Sequence, residues 1–168
     1  MLALSLKQPW AQLVVHRQKR FETRSWKANV RGWVIVHASG STVDAAGKAV
    51  MRSPVYAGFA AYTGVTVDHV TCGPHGTMPT HVIVGAMRIL DCQPVEDVQA
   101  ELSDRERTYG DFGPGRYAYR LADAVLLPMV PCQGHLRFWE LAPDVLAQVE
   151  QCANREGLPV ALLDAIRG

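Results

Sequence analysis

The stretch LSLKQPWAQLVVHRQKRFETRSW, residues 4–26, decides how this chain is read. Its first residues close a run, 2–6, that alternates like a short strand. Pro9 then suits the first turn of a helix, where its missing N–H is not needed. Trp10, Leu13, Val14 and Arg17 follow at i, i+3, i+4, i+7, one helical face, and the helix should end near Gln18. Residues 20–26 are aromatic and Thr-containing and read as a second strand. Alternation puts Glu22 and Arg24 on one of its faces, Thr23 and Ser25 on the other. Lys19 stands at the helix-to-strand turn, where a bend turns it toward the Glu22 face. Charges in that order either converge on a cleft or form a surface ion pair, which contributes only ~0–1 kcal/mol.

The pattern changes further along. Residues 32–39, GWVIVHAS, form a strand rich in Val, Ile and Trp. Ser41 or Thr42 can cap a helix over 43–52, and 55–63 read as another short helix. Residues 63–80, rich in Gly, Pro and Thr, read as a long loop, a length that in a compact domain often serves function. Residues 81–95 are apolar on both faces, as in a strand buried on two sides. Residues 95–110 read as a short helix plus loop, and 110–115, GDFGPG, as a turn cluster. Strands are expected over 116–128 and 135–141, a helix over 143–154, and a short helix after Pro159. Helices and strands alternate at the front and strands crowd the back. That suits an α+β fold: a small, partly open β-barrel flanked by helices. The expected division is a domain over 1–141 and a helical extension, 142–168, packed on it.

Composition narrows the class. A chain of 168 residues suits one domain and needs no disulfide or metal to fold. No apolar run approaches the ~20 residues of a membrane span, and no basic leader precedes a long apolar core. Cys72, Cys92, Cys132 and Cys152 are widely spaced and read as reduced thiols. A cytoplasmic protein is expected. The net charge of +1 hides an asymmetry, because residues 1–37 carry seven Lys and Arg against Glu22 alone. Trp10, Trp26 and Trp33 lie in the same stretch. Cations interleaved with aromatics suit a polyanion with exposed bases; a basic outer face over core tryptophans explains the composition too.

Taken together, these residues resemble the ASCH family (activating signal cointegrator homology). Its signature is a strand ending before Pro-Trp-Ala, a helix, then Gly-x-Lys-x-x-Glu-x-Arg-Ser/Thr-Trp. Pro9, Trp10, Ala11, Lys19, Glu22, Arg24, Ser25 and Trp26 match it. RGWVIVHAS, PTHVIVGAMRILDC, FGPGRYAYRL and GHLRFWEL are similar to the family's later strands, so the resemblance covers about residues 2–141. Arg17 stands where the family usually has glycine, and Tyr119 where it often has tryptophan. The resemblance implies a PUA-like barrel with a cleft lined by the lysine, glutamate and arginine. PUA-like domains commonly bind RNA, and the related EVE domains bind modified bases. Some small ASCH proteins look like amidohydrolases acting on N4-acylated cytidine; others are nucleic-acid binders or ribonucleases.

Two kinds of chemistry fit this cleft. In a binder of single-stranded RNA or DNA, or of a modified nucleoside, Glu22 and Arg24 read a base edge while Trp26 or Trp10 stacks. In a hydrolase, Lys19 activates a nucleophile and Glu22 shuttles a proton to the departing amine. Lys7 and Gln8, with Pro9, precede the helix start, where backbone N–H groups favour anions. Trp10 also suits the core, and His37, at a strand end, is either a satisfied core histidine or a site residue. Tyr117 and Tyr119 share one strand face and Arg116 and Arg120 the other, so one pair lies inside. Asp68, His69, Cys72, His75 and His81 share a loop, but their spacing is not that of a zinc site, and no metal or cofactor is expected. There is no Walker loop, G-x-G-x-x-G or G-x-S-x-G.

Overall fold

A computed structural model describes residues 1–40, 43–63, 78–155 and 158–167. Six strands, β1 (Leu2–Leu6), β2 (Phe21–Arg24), β3 (Gly32–Ala38), β4 (Val82–Pro94), β5 (Tyr117–Pro131) and β6 (Phe138–Glu140), form one sheet in the order β2-β5-β4-β3-β1-β6. Only β1 and β3 run parallel; the other pairings are antiparallel. The helices are α1 (Trp10–Val15), α2 (Ala45–Met51), α3 (Pro54–Thr63), α4 (Asp104–Tyr109), α5 (Pro143–Arg155) and α6 (Val160–Arg167), with a 3-10 helix over Val95–Glu101.

The sheet is curled but not closed. Across the open side, Arg24 Nη2 donates to the Ser5 carbonyl at 3.0 Å, and the Trp26 and Phe138 rings lie 5.4 Å apart. These contacts draw the β2 end toward β1 and β6 without strand pairing, so the barrel is partly open, as the sequence leads one to expect. One apolar cluster fills the space between the sheet and α1, with Leu4, Leu6, Val14, Val36, Met87 and Tyr119 at its centre. A second joins Ala3, Ile35, Ile83 and Leu127 to Val149, Leu162 and Ile166 of α5 and α6. Leu13 carries the core onward to α2, α3 and α4 through Val50, Tyr56, Phe59 and Tyr109. Each such fully buried side chain stabilises the fold by roughly 1.5–3 kcal/mol relative to exposure.

Several element ends depart from the sequence reading, and each departure has a local cause. α1 stops at Val15 rather than near Gln18, because Arg17 adopts a left-handed φ of 59°. The Gln18 N–H then donates to the Leu13 carbonyl at 2.8 Å and the Arg17 N–H to that of Val14 at 2.9 Å, the pattern of a Schellman turn. α2 is capped by Asp44, whose side chain accepts from the Gly47 N–H, while Ser41 and Thr42 lie outside the described residues. β6 spans only Phe138–Glu140, since Arg137 takes φ 59° and turns the preceding residues out of the sheet. The Tyr pair, not the Arg pair, faces inward: Tyr119 is wholly buried, while Arg120 pairs with Glu101 at 2.6 Å. Asp68, His69, Cys72 and His75 lie outside the described residues.

Candidate functional site

The Schellman turn delivers Lys19 to the face carrying Glu22 and Arg24. Lys19 Nζ lies 3.2 Å from Glu22 Oε2 and also donates to the Phe21 carbonyl oxygen. Arg24 Nε lies 2.9 Å from Glu22 Oε1. That second contact is a close charge pair rather than a hydrogen bond, since the Arg24 Nε–H is not aligned on Oε1. This is not a surface ion pair: the Lys19 side chain is 1% exposed and the Glu22 side chain 9%. Burial alone raises the Glu22 carboxyl, but the Lys19 and Arg24 charges more than offset it and hold it below the ordinary carboxylate range. Behind the turn, the wholly buried Glu106 of α4 accepts the Arg20 N–H at 2.6 Å, which fixes the backbone between Lys19 and β2. Ser103 begins the S-x-x-E of a capping box, yet Glu106 spends its carboxylate on Arg20 instead.

The triad opens into a cleft of about 1300 Å³. Among the described residues, five cationic side chains line it (Lys7, Lys19, Arg24, Arg116 and Arg137), against the carboxylates Glu22 and Asp111. Of the residues singled out in the sequence, Lys7, Trp10, Lys19, Glu22, Arg24, Ser25, Trp26 and His37 all line this cleft. Trp26 forms one wall, edge-on to Tyr119 and Phe138, with the Arg137 guanidinium 5.4 Å above its ring. Trp10 is shared with the core, and its indole N–H donates to the Tyr109 carbonyl at 2.7 Å. Lys7 is half-exposed and pairs with Asp44 at 2.9 Å.

Gln8, Pro9 and Tyr119 do not line the cleft. Gln8 is wholly buried; its amide donates to the Pro79 carbonyl at 2.8 Å and accepts from the Gln12 N–H at 3.3 Å. Both ends are used inside the protein, so Gln8 offers no phosphate contact. Pro9 is buried beside it as the residue preceding α1. Tyr119 lies behind Trp26 and donates its hydroxyl to the Trp26 carbonyl at 2.7 Å, so it supports the wall rather than the ligand surface. Burial pushes its phenol upward.

His37 lines the same cleft, next to Ser5, whose carbonyl accepts from Arg24. Its Nδ1 is 3.1 Å from Ser5 Oγ and its Nε2 is 3.3 Å from the Cys132 carbonyl oxygen. Burial lowers its proton affinity, and the neighbouring His81 and His135 add to that effect against the Cys132 carbonyl. Sequence reasoning missed Ser5, Ser39, Tyr109 and the segment Gln133–Arg137, all of which line the cleft. The only signal for the segment was the glycine in QGHLR: a side chain at Gly134 would fall 2.2 Å from the His37 ring. Among the described residues, no group of three His, Cys, Asp or Glu side chains is placed to hold a metal ion. No helix among them is long and apolar enough to cross a membrane.

A family model described as "ASCH domain" matches residues 4–122. Among solved structures, the chain is similar to ASCH from Zymomonas mobilis: 11% identity, TM-score 0.52, with 89% of this chain and 93% of that one covered. A tyrosine-to-phenylalanine mutant of the same organism's protein gives the same identity and TM-score, with 96% of that chain covered. At such identity the likeness speaks for the fold alone. No curated protein matches the chain.

Proposed function

The chain belongs to the ASCH domain family and has its PUA-like fold, and from that premise we propose that its cleft binds single-stranded nucleic acid or a modified nucleoside. The observation that carries this reading is a set of unanswered polar atoms. Ser39 Oγ and Tyr109 Oη are buried and without hydrogen-bond partners among the described residues, Arg24 Nε meets only the misaligned Glu22 Oε1, and all three residues line the cleft. An unpaired buried polar group costs about 1–3 kcal/mol, which a ligand edge or a water can relieve. Glu22 and Arg24 present an acceptor and a planar donor side by side, the complement of a base edge. Trp26 offers a stacking face with Arg137 over it, and Lys7, Arg116 and Arg137 suit phosphates. We place the protein in the cytoplasm on the same reading.

Hydrolysis of an N4-acylated cytidine-type nucleoside is the second reading, resting on the 3.2 Å separation of Lys19 and Glu22. Against it, the Lys19 side chain is 1% exposed and already engaged by Glu22 and the Phe21 carbonyl. A ribonuclease stands third. Binding of short single-stranded RNA and DNA, measured by fluorescence anisotropy across a salt series, tests the first reading. Arg24→Ala should weaken affinity about tenfold or more, and Lys7→Ala should reduce the salt slope by about one. Absence of affinity for either strand at low salt sinks nucleic-acid binding. N4-acetylcytidine turnover, followed by absorbance, tests the second reading. Turnover lost in Lys19→Ala makes the protein an amidohydrolase, and no turnover in the wild type removes that activity.

A further inference from the structure

We propose that Ser5 and His37 form a reactive dyad in the wall of the cleft, in which the Ser5 hydroxyl accepts an acyl group from an ester or amide. This inference goes beyond nucleic-acid binding and does not rest on it. The hydrogen bonds settle where the protons lie. A carbonyl oxygen only accepts, so the contact from His37 Nε2 to the Cys132 carbonyl at 3.3 Å places the ring proton on Nε2. Nδ1 is then a lone-pair acceptor, and Ser5 Oγ, 3.1 Å away, donates its proton to it. Trp139 Nε1, which only donates, gives its proton to Ser5 Oγ at 3.2 Å. One lone pair of the serine oxygen remains.

The arrangement is that of a hydroxyl paired with a base that a third group orients. The third group here is a backbone carbonyl rather than a carboxylate. His37 is 1% exposed, edge-on to Trp139 at 5.6 Å, and kept neutral by its burial. Ser5 and His37 both line the cleft. Gly134 lies directly over them: a Cβ there would fall 2.4 Å from His37 Nδ1 and 2.8 Å from Ser5 Oγ. Arg24 is fixed beside the same serine by its bond to the Ser5 carbonyl. With Lys7 and Arg137 on the same walls, an acyl group borne on an anionic carrier is the class that fits.

The chemistry balances without any further reagent than water. Ser5 Oγ bonds to the acyl carbon as its proton passes to His37 Nδ1. Collapse breaks the bond to the alcohol or amine, which departs with that proton. Water then attacks the acyl-serine, again giving a proton to Nδ1. The carboxylic acid leaves, and the hydroxyl regains its hydrogen.

A fluorophosphonate probe, read by intact mass and peptide mapping, tests the dyad on the whole chain. One adduct is expected, on Ser5, absent in Ser5→Ala and formed about 100-fold more slowly in His37→Gln, the scale of a lost general base. Should His37→Gln not fold, Ser5→Cys replaces it. At pH 6, where an ordinary thiol is protonated, its new thiol should react with iodoacetamide faster than the half-buried Cys152 of the same chain. A folded protein with no adduct on Ser5 overturns the proposal. So does labelling of His37→Gln at the wild-type rate, or a Ser5→Cys thiol no faster than Cys152. None of these readouts depends on nucleic-acid affinity.

Discussion

At the scale of single residues, Glu22 carries the most consequence. It compensates two cations, and Lys19 has almost no exposure through which water could replace it. Glu22→Gln leaves the Lys19 ammonium buried without its counter-charge, so urea denaturation should report a loss of about 3–5 kcal/mol. Changing both partners to apolar residues, Lys19→Met with Glu22→Leu, should recover much of that loss. The pH dependence follows from the direction of the shift. The folded Glu22 carboxyl lies below its ordinary value of 4.5, so it binds a proton less readily than in the unfolded chain. Its contribution is complete above pH 4.5 and is lost as pH falls through the lower folded value. The stability gap between wild type and Glu22→Gln should therefore narrow in acid; a gap constant from pH 7 down to pH 3 would contradict this account.

At the scale of elements, the turn from α1 to β2 is the device that builds the site. It holds Arg17 in the left-handed region, which costs a non-glycine residue about 1–2 kcal/mol. The Arg17 side chain offsets this by donating Nε–H to the Ala124 carbonyl at 2.6 Å, across to β5. Arg17→Gly relieves the backbone but gives up that bond and adds unfolded-state freedom, so thermal stability should change by less than about 1 kcal/mol. Arg17→Val should cost about 2 kcal/mol, because a β-branched residue resists positive φ and has no hydrogen bond to give. If the two variants melt alike, the turn is not under the strain described. α4 supports the same turn from behind, and Ser103→Ala, which removes its cap, should cost about 1 kcal/mol.

At the scale of the whole molecule, the cleft and the C-terminal helices draw on different residues. Among the described residues, all those lining the cleft lie at or before Arg137, whereas Leu162 and Ile166 pack with Ala3, Ile35 and Leu127 of the sheet. Leu162→Ala should cost about 2–5 kcal/mol by leaving a cavity, with the affinity of the folded protein for its ligand unchanged. Isothermal titration beside a denaturation curve checks both halves. A large drop in affinity without unfolding would mean that α6 bears on the cleft.

The local order of the chain was legible in its sequence. Periodicity of 2 or 3.6 is a short-range property, so the strands of residues 2–6, 32–39 and 81–95 and the helix after Pro143 could be read from a few neighbours. The charged run was legible for the same reason, since alternation puts Glu22 and Arg24 together, but the turn that brings Lys19 to them begins at Arg17, where the periodicity still predicted helix. Tertiary structure alone decided which polar groups meet across the fold. Ser5 finds His37 across 32 positions and Trp139 across 134, and Arg20 finds Glu106 across 86. It also turned Gln8 inward, where the sequence suggested a phosphate contact, because a buried amide must satisfy both ends and Pro79 and Gln12 were in reach. Partners of that kind are set by how the sheet curls and which burial must be compensated, and no window of neighbouring residues contains that information.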